Sequence, residues 1–364
     1  MKQKLIALAA ALALCVSLAG CTISTPDSVG SIGDVEISSG MYLLAQYNAY
    51  QTAAGYAESD QDTSTPSKFL KQTIDVGEED APDEQKVSDY VAAQTLESLR
   101  AYAAAEAMFD ELGGELTEDE ITSADSYAQQ LLDSYGDIYE ANGIGLTTLQ
   151  QYTRNLVKTS DLLDLLYGED GQTPVTDDEL QAHMEDMVYA YYVTVPLYNT
   201  STYVFADEDQ TAEMLEMCQE AAEEYSSGDY SSGFAGFYTV LNEYLPDVYD
   251  VLGAEYTSSD LLSDIQLDLL SQSDFEDYFT EESAATIQAM ELDEMCAVQY
   301  SDYMLIVVLR MDPSDELDSL RDTVLSDMKG DELTDTITEY GAAMTDALNA
   351  SATKKLPAKK ISVS

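Results

Sequence analysis

The sequence predicts an α+β protein of two lobes, mainly helical, with a small α/β lobe in its second half. Three observations lead there. Through much of the first half, apolar residues recur every 3.6 positions; Val87, Val91, Thr95, Leu99, Tyr102 and Phe109 share one face, as on an amphipathic helix. The period then changes, and Tyr189 to Tyr198 and Cys296 to Leu309 read as strands rich in Tyr, Val, Ile and Leu. Helical patterning returns after Asp312-Pro313. Elements shuffled in this way fit an α+β assembly better than a regular βαβ succession. With 45% hydrophobic residues, the chain has enough apolar material to bury cores despite its acidity.

The first 20 residues are set apart from that fold. Lys2 and Lys4 precede an apolar run from Leu5 to Val16, followed by Leu18-Ala19-Gly20-Cys21. The run suits a secretory signal peptide and is well short of the roughly 20 residues that cross a bilayer. A cysteine directly after small residues resembles the lipobox of bacterial lipoproteins. That resemblance implies cleavage after Gly20 and lipidation of Cys21. The expected location is then the outer face of the cytoplasmic membrane, where each buried acyl methylene contributes about 0.8 kcal/mol to anchoring. Residues 21–30, polar and proline-containing from Thr22, read as the tether.

A helical lobe is expected over residues 31–187. Around Gly33-Asp34 a short alternating stretch suggests a hairpin, and Ser38 or Ser39 can cap a helix carrying Met41, Leu43, Leu44, Tyr47 and Tyr50. Residues 57–83, rich in Ser, Thr, Asp and Pro, read as a loop around Phe69-Leu70. The clearest helix runs from Glu84 to Leu112 and is ended by Gly113-Gly114. Thr117 with Glu120 and Thr176 with Glu179 have the spacing of capping boxes, opening helices to about Tyr135 and Met187. Between them come a helix from Thr147 to Leu156 and the apolar cluster Leu162, Leu163, Leu165 and Leu166.

The α/β lobe is expected over residues 188–312, with Pro196 best placed at an edge or bulge. Gln210 to Tyr225 reads as a helix, Gly228 to Gly236 as a loop, Glu243 to Phe279 as a mixed helical region, and Cys296 to Leu309 as one strand. Residues 313–353 read as two helices that pack back on the first lobe, and 354–364 as a loose basic tail.

A formal net charge of −55, from 70 acidic and 15 basic residues, disfavours nucleic acid and anionic lipid as partners. The single histidine, His183, rules out a multi-histidine metal site, and no EF-hand loop pattern is present, so neither a metal nor another cofactor is expected. Beyond the signal and the lipid site, Cys218 and Cys296 remain as a candidate disulfide, with both thiol and paired states open. No G-x-S-x-G elbow, H-E-x-x-H pair or P-loop occurs, so no catalytic residue is nominated.

The order of motifs resembles extracytoplasmic foldases of the PrsA and SurA type. It is carried by Val29 to Met41, Leu112-Gly-Gly-Glu-Leu-Thr-Glu-Asp-Glu-Ile121, Thr176-Asp-Asp-Glu-Leu180 leading into Ala190 to Leu197, and Tyr303 to Pro313. The resemblance implies a SurA/PrsA-like helical chaperone lobe and a parvulin-like α/β lobe. Parvulin-type domains place histidines in their central strands, and at the corresponding places this chain has Ala190 or Tyr191 and Val298, Gln299 and Tyr300. The α/β lobe is therefore expected to be a degenerate form without isomerase activity.

The expected function is that of a membrane-anchored chaperone binding unfolded secreted polypeptides. Tyr42, Tyr47 and Tyr50 on the first helix, with Leu162, Leu165, Leu166 and Tyr167, are the candidate client-binding residues; core packing is the alternative role for the leucines, and half-buried packing for the tyrosines. An active peptidyl-prolyl isomerase and a non-catalytic structural or ligand-binding lipoprotein are the competing expectations. Fold likeness does not decide among them, because function resides in a site.

Overall fold

A computed structural model describes residues 26–77 and 81–363. The expected signal peptide, Cys21 and the start of the tether lie outside the described residues. No helix among those described is long and apolar enough to cross a membrane.

In chain order, β1 (Ser28–Ile32) and β2 (Val35–Ser38) are followed by α1 (Ser39–Gly55), α2 (Pro66–Phe69), β3 (Thr73–Asp75) and β4 (Glu84–Lys86). Long helices α3 (Val87–Glu111), α4 (Glu118–Ala141) and α5 (Leu146–Tyr167) come next, then α6 (Asp177–Met184). The strand β5 (Val188–Pro196) leads to α7 (Glu208–Glu224), a π-helical turn at Tyr225–Asp229, α8 (Phe234–Asp250) and α9 (Ser258–Asp264). Then follow β6 (Gln266–Leu270), α10 (Gln272–Tyr278), α11 (Glu281–Gln288), β7 (Met295–Ser301) and β8 (Met304–Arg310). The chain closes with α12 (Leu317–Ala343), β9 (Asp346–Leu348), α13 (Ala350–Thr353) and a 3₁₀ turn at Ala358–Lys360. The fold is thus mainly helical with some β strands.

The chain divides into two compact units. One takes the described residues of Met1–Leu166, Asp170–Gln172 and Asp331–Ser364; the other takes Tyr167–Glu169 and Thr173–Gly330. In sequence the second is inserted into the first. The division falls near residue 170 and after Gly330, whereas the pattern of residues put it at 187/188 and 312/313.

The first unit is built on α1 and α3, which pack together, and on the antiparallel sheet β2-β1-β9. Ser38 Oγ caps α1 by accepting from the Met41 amide at 3.1 Å. Gly33, with φ of 56°, makes the β1–β2 turn. Ile32, Ile37, Leu44, Tyr50, Phe69, Val91, Leu99 and Leu149 fill the core, most of them inaccessible to solvent. At the end of α3, Gly113 turns at positive φ and the Gly114 amide reaches back to the Phe109 carbonyl, closing the helix. Thr117 and Glu120 form the expected reciprocal box, Glu120 Oε2 accepting from the Thr117 amide at 2.6 Å. The helix that follows runs past its expected end near Tyr135, and Tyr135 itself is non-helical at φ −129°. The weak Thr147 to Leu156 segment and the leucine cluster are one helix, α5.

Two expectations for this unit are corrected. The stretch 21–30, expected to be a free tether, is not free to its end, because Ser28 pairs in β1 and Val29 is wholly buried. Nor is the basic tail loose: Leu356 and Ile361 enter the core, and Asn142 holds Ser362 by its amide and carbonyl. Apolar side chains at those two positions give the tail something to bury, which its four lysines mask in the sequence.

The second unit centres on a four-stranded antiparallel sheet in the order β6-β5-β8-β7. Leu305 to Leu309 are all buried because β8 is central and covered on both faces. Val193, Val195, Leu305 and Val307 face the core shared with α7 and α8, alongside Met214, Phe237 and Leu241. Ala190, Ile306 and Val308 face the opposite way, toward Phe275 and Ile287 of α10 and α11. The Thr176–Glu179 box opens α6 as expected. Pro196 ends β5 beyond the reach of β6, which pairs with Val188 to Tyr192, so on that side it stands at an open edge as expected, where no ladder amide is needed. The expected single late strand is a hairpin, β7 and β8, turning at Asp302-Tyr303. β6 arises in the stretch read as helical, and α12 is one helix where two were expected.

Candidate functional site

The nominated client-binding residues are dispersed, and four of them are core. Tyr50 and Leu162 are wholly inaccessible, and Tyr47 and Tyr167 nearly so. A side chain with no accessible surface offers nothing to a client, so their role is packing. Tyr50 stacks edge-on against Phe69 at 5.6 Å between centroids and donates to the Thr63 carbonyl at 2.6 Å. Burial, reinforced by Asp62, pushes its phenol up to about 12. Tyr47 packs edge-on against Tyr139, and the Lys329 ammonium lies over the Tyr167 ring. Tyr42, Leu165 and Leu166 are half-buried.

Cys218 and Cys296 are free thiols. Cys218 projects into the α7–α8 core, whereas Cys296 packs on the other face of the sheet with its sulfur 3.3 Å from Met290 Sδ. A sheet between them precludes the candidate disulfide. Burial pushes both thiols up to about 12, for Cys296 with help from Glu294. His183 projects from α6 to Asp327 Oδ2 at 2.6 Å, half-exposed.

Two features of the second unit stand out instead. The first is an apolar patch where β5 ends and the β7–β8 hairpin turns. Tyr203, Val204, Phe205 and Tyr303 are 73%, 63%, 56% and 57% exposed. Phe205 packs against Tyr198 at 5.5 Å and against Tyr303 at 5.6 Å, making a continuous aromatic surface. The loop that presents it is rigidly held. Asn199, buried, accepts from the amides of Ser201 and Thr202 through Oδ1 and donates to the Leu252 carbonyl through Nδ2, each at 3.0 Å. Tyr203 sits at φ 56°, an uncommon conformation for a residue with a large side chain. Clustered exposed apolar groups of this kind mark interaction surfaces in soluble proteins.

The second is a pocket of about 460 Å³ on the sheet face that carries Ala190 and Ile306. Tyr192, Tyr300, Phe279 and Tyr278 wall it, and Asp268 and Asp274 stand at its side. Tyr192 Oη lies 2.6 Å from Gln266 Oε1 and 3.0 Å from Asp268 Oδ2, one proton shared between two acceptors. Burial, then the Asp268 carboxylate, pushes the Tyr192 phenol up to about 12, so it stays protonated. Phe279 and Tyr300 meet edge to face at 4.9 Å. Of the positions where the resemblance looks for histidine, Tyr300 reaches this pocket, beside Tyr192 from the first strand. A smaller apolar pocket of about 300 Å³ lies in the first unit, lined in part by Met41, Leu44, Tyr102, Tyr152 and Leu156.

The patch carried a signal in the sequence: Tyr203-Val204-Phe205 is an apolar triplet between polar Thr and Asp-rich segments, with no periodic partners. The pocket carried none, since its walls come from β5, β6, α10 and β7.

No family model and no curated protein matches the sequence. Among solved structures, PrsA from Bacillus subtilis is similar at 13% identity, covering 75% of this chain and 91% of that one, with a TM-score of 0.31. The foldase protein PrsA from Streptococcus pneumoniae is similar at 13% identity, covering 80% and 95%, with a TM-score of 0.37. The chain is thus similar in structure, at low sequence identity and over most of its length, to PrsA-type foldases.

Proposed function

We propose that the chain is an extracytoplasmic chaperone or foldase-like protein, tethered to the outer face of the cytoplasmic membrane through Cys21, that binds unfolded secreted polypeptides without isomerising proline bonds. The observation that carries this reading is the exposed patch of Tyr203, Val204, Phe205 and Tyr303. Apolar surface presented on a rigid loop can gain burial from a partner without paying to order itself. Aromatic side chains suit varied sequences, because their faces and edges accept many contacts. The export signal supports the location, and the lipobox supports the anchor. Against isomerase chemistry stands the placement of His183 on α6, paired with Asp327, while the sheet pocket is walled by tyrosines and phenylalanine.

The test is suppression of aggregation of a reduced, unfolded secreted protein, measured by light scattering beside a proline cis/trans exchange assay. Suppression without faster exchange is expected. The double variant Phe205→Ser, Tyr303→Ser should fold normally and lose suppression by several-fold, given about 1 kcal/mol or more for each aromatic contact removed. Undiminished suppression by that variant would remove the patch from the mechanism, and faster exchange would establish the isomerase alternative.

A further inference from the structure

The sheet pocket has a composition that points beyond general polypeptide binding. Its lining includes four aromatic rings and two carboxylates and no lysine or arginine. Both carboxylates are only half used. Asp268 accepts from Tyr192 through Oδ2, and Asp274 Oδ2 caps α10 by accepting from the Ser271 amide at 2.8 Å and its hydroxyl at 3.0 Å. Among the described residues, the Oδ1 atoms of both accept no hydrogen bond. Aromatic faces beside carboxylate oxygens attract a cation twice over: through the ring quadrupole and through charge-assisted hydrogen bonds.

The setting also fits a chain segment more than a compact ligand. β6, which supplies Gln266 and Asp268, is an edge strand of the sheet, with β5 as its one strand partner. An extended segment can lie along such an edge. The opposite edge is occupied: Gln219 Nε2 donates to the Ala297 carbonyl and Ser283 Oγ to that of Gln299 along β7. The strongly negative chain as a whole draws basic segments toward it.

We propose that this pocket takes the cationic side chain of a lysine or arginine in an extended polypeptide, so that the chain prefers client segments carrying basic residues. The inference rests on the polypeptide-binding reading and names the side chain that gives such binding its selectivity.

The experiment compares two capped, fluorescent extended peptides, identical except for a central lysine in one and norleucine in the other. Binding to the purified protein is followed by anisotropy. The lysine peptide should bind about tenfold more tightly at low salt, the preference shrinking as salt screens it. Asp268→Asn should bring the ratio of lysine-peptide to norleucine-peptide affinity close to one, and Asp268→Glu should retain part of the preference. Equal affinity for the two peptides in the unaltered protein would overturn the proposal. So would displacement by spermidine as effective as by the unlabelled lysine peptide, since that would mark a site for free polyamines. Loss of suppression in Phe205→Ser, Tyr303→Ser with an intact lysine preference would separate the patch from the pocket, and it would leave this proposal standing.

Discussion

Asp161 shows how single carboxylates behave in so acidic a chain. Burial, then the charges of Glu120 and Asp164, hold its pKa above the ordinary aspartate value. The ionised form is therefore disfavoured in the folded state. The sign follows directly: stability is penalised above the folded pKa and recovered as pH falls through it toward the unfolded value. Asp161→Asn removes the charge and keeps the shape, and should raise the melting temperature at neutral pH by up to about 2 °C, with no gain at pH 4. Glu120 and Glu179 run the other way. The backbone amides of Thr117 and Thr176 lower their pKa, so they stabilise above the ordinary carboxylate range and lose that contribution as acid protonates them. Local spacing alone revealed both boxes, because a capping box is completed within four residues. The same cannot be said of the tyrosines. Tyr50 and Tyr203 are the same residue type, yet one is wholly buried and the other 73% exposed. An amphipathic ring is compatible with either place, so residue type alone does not decide.

At the scale of elements, the glycines separate two kinds of constraint. Gly30 has φ of 117°, and a Cβ there would run into the Ala347 carbonyl of β9. Gly30→Ala should therefore cost about 2–3 kcal/mol in chemical unfolding of the first unit. Gly55, at the end of α1, has open space where its Cβ would sit, so Gly55→Ala should be neutral or stabilise by up to about 1 kcal/mol. Paired urea melts of the two variants check both. Long periodic helices such as α3 were legible because seven turns repeat one pattern. Short strands were not. β9 is three residues, Asp-Ala-Leu, and β6 is Gln-Leu-Asp-Leu-Leu, whose apolar residues fit a helix face as well as a strand. Their identity comes from partners far away in sequence, β1 and β5.

For the whole molecule, charge is the dominant quantity. Few cations are available to offset 70 acidic residues, and the ion pairs that form, such as Arg154 with Asp125 and Lys158 with Glu106, are partly solvent-exposed. Exposed pairs of that kind contribute little. Repulsion among the remaining carboxylates should instead control the salt response. Raising ionic strength from about 10 mM to about 150 mM shortens the screening length from roughly 30 Å to 8 Å. Melting temperature should therefore rise with sodium chloride, where a protein held by surface ion pairs would show a fall; calorimetry at both salts checks the sign.

The pairing of β1 with β9 also sets a timetable. During synthesis, residues 26–38 emerge long before residues 346–363, with more than 300 positions between the partners. Everything that completes the second unit leaves the ribosome in the interval. The inserted unit can therefore reach its native form while its host is still waiting for a strand and three core side chains, Ala352, Leu356 and Ile361. A chain cut short before those residues keeps a first core without the strand and side chains that close it.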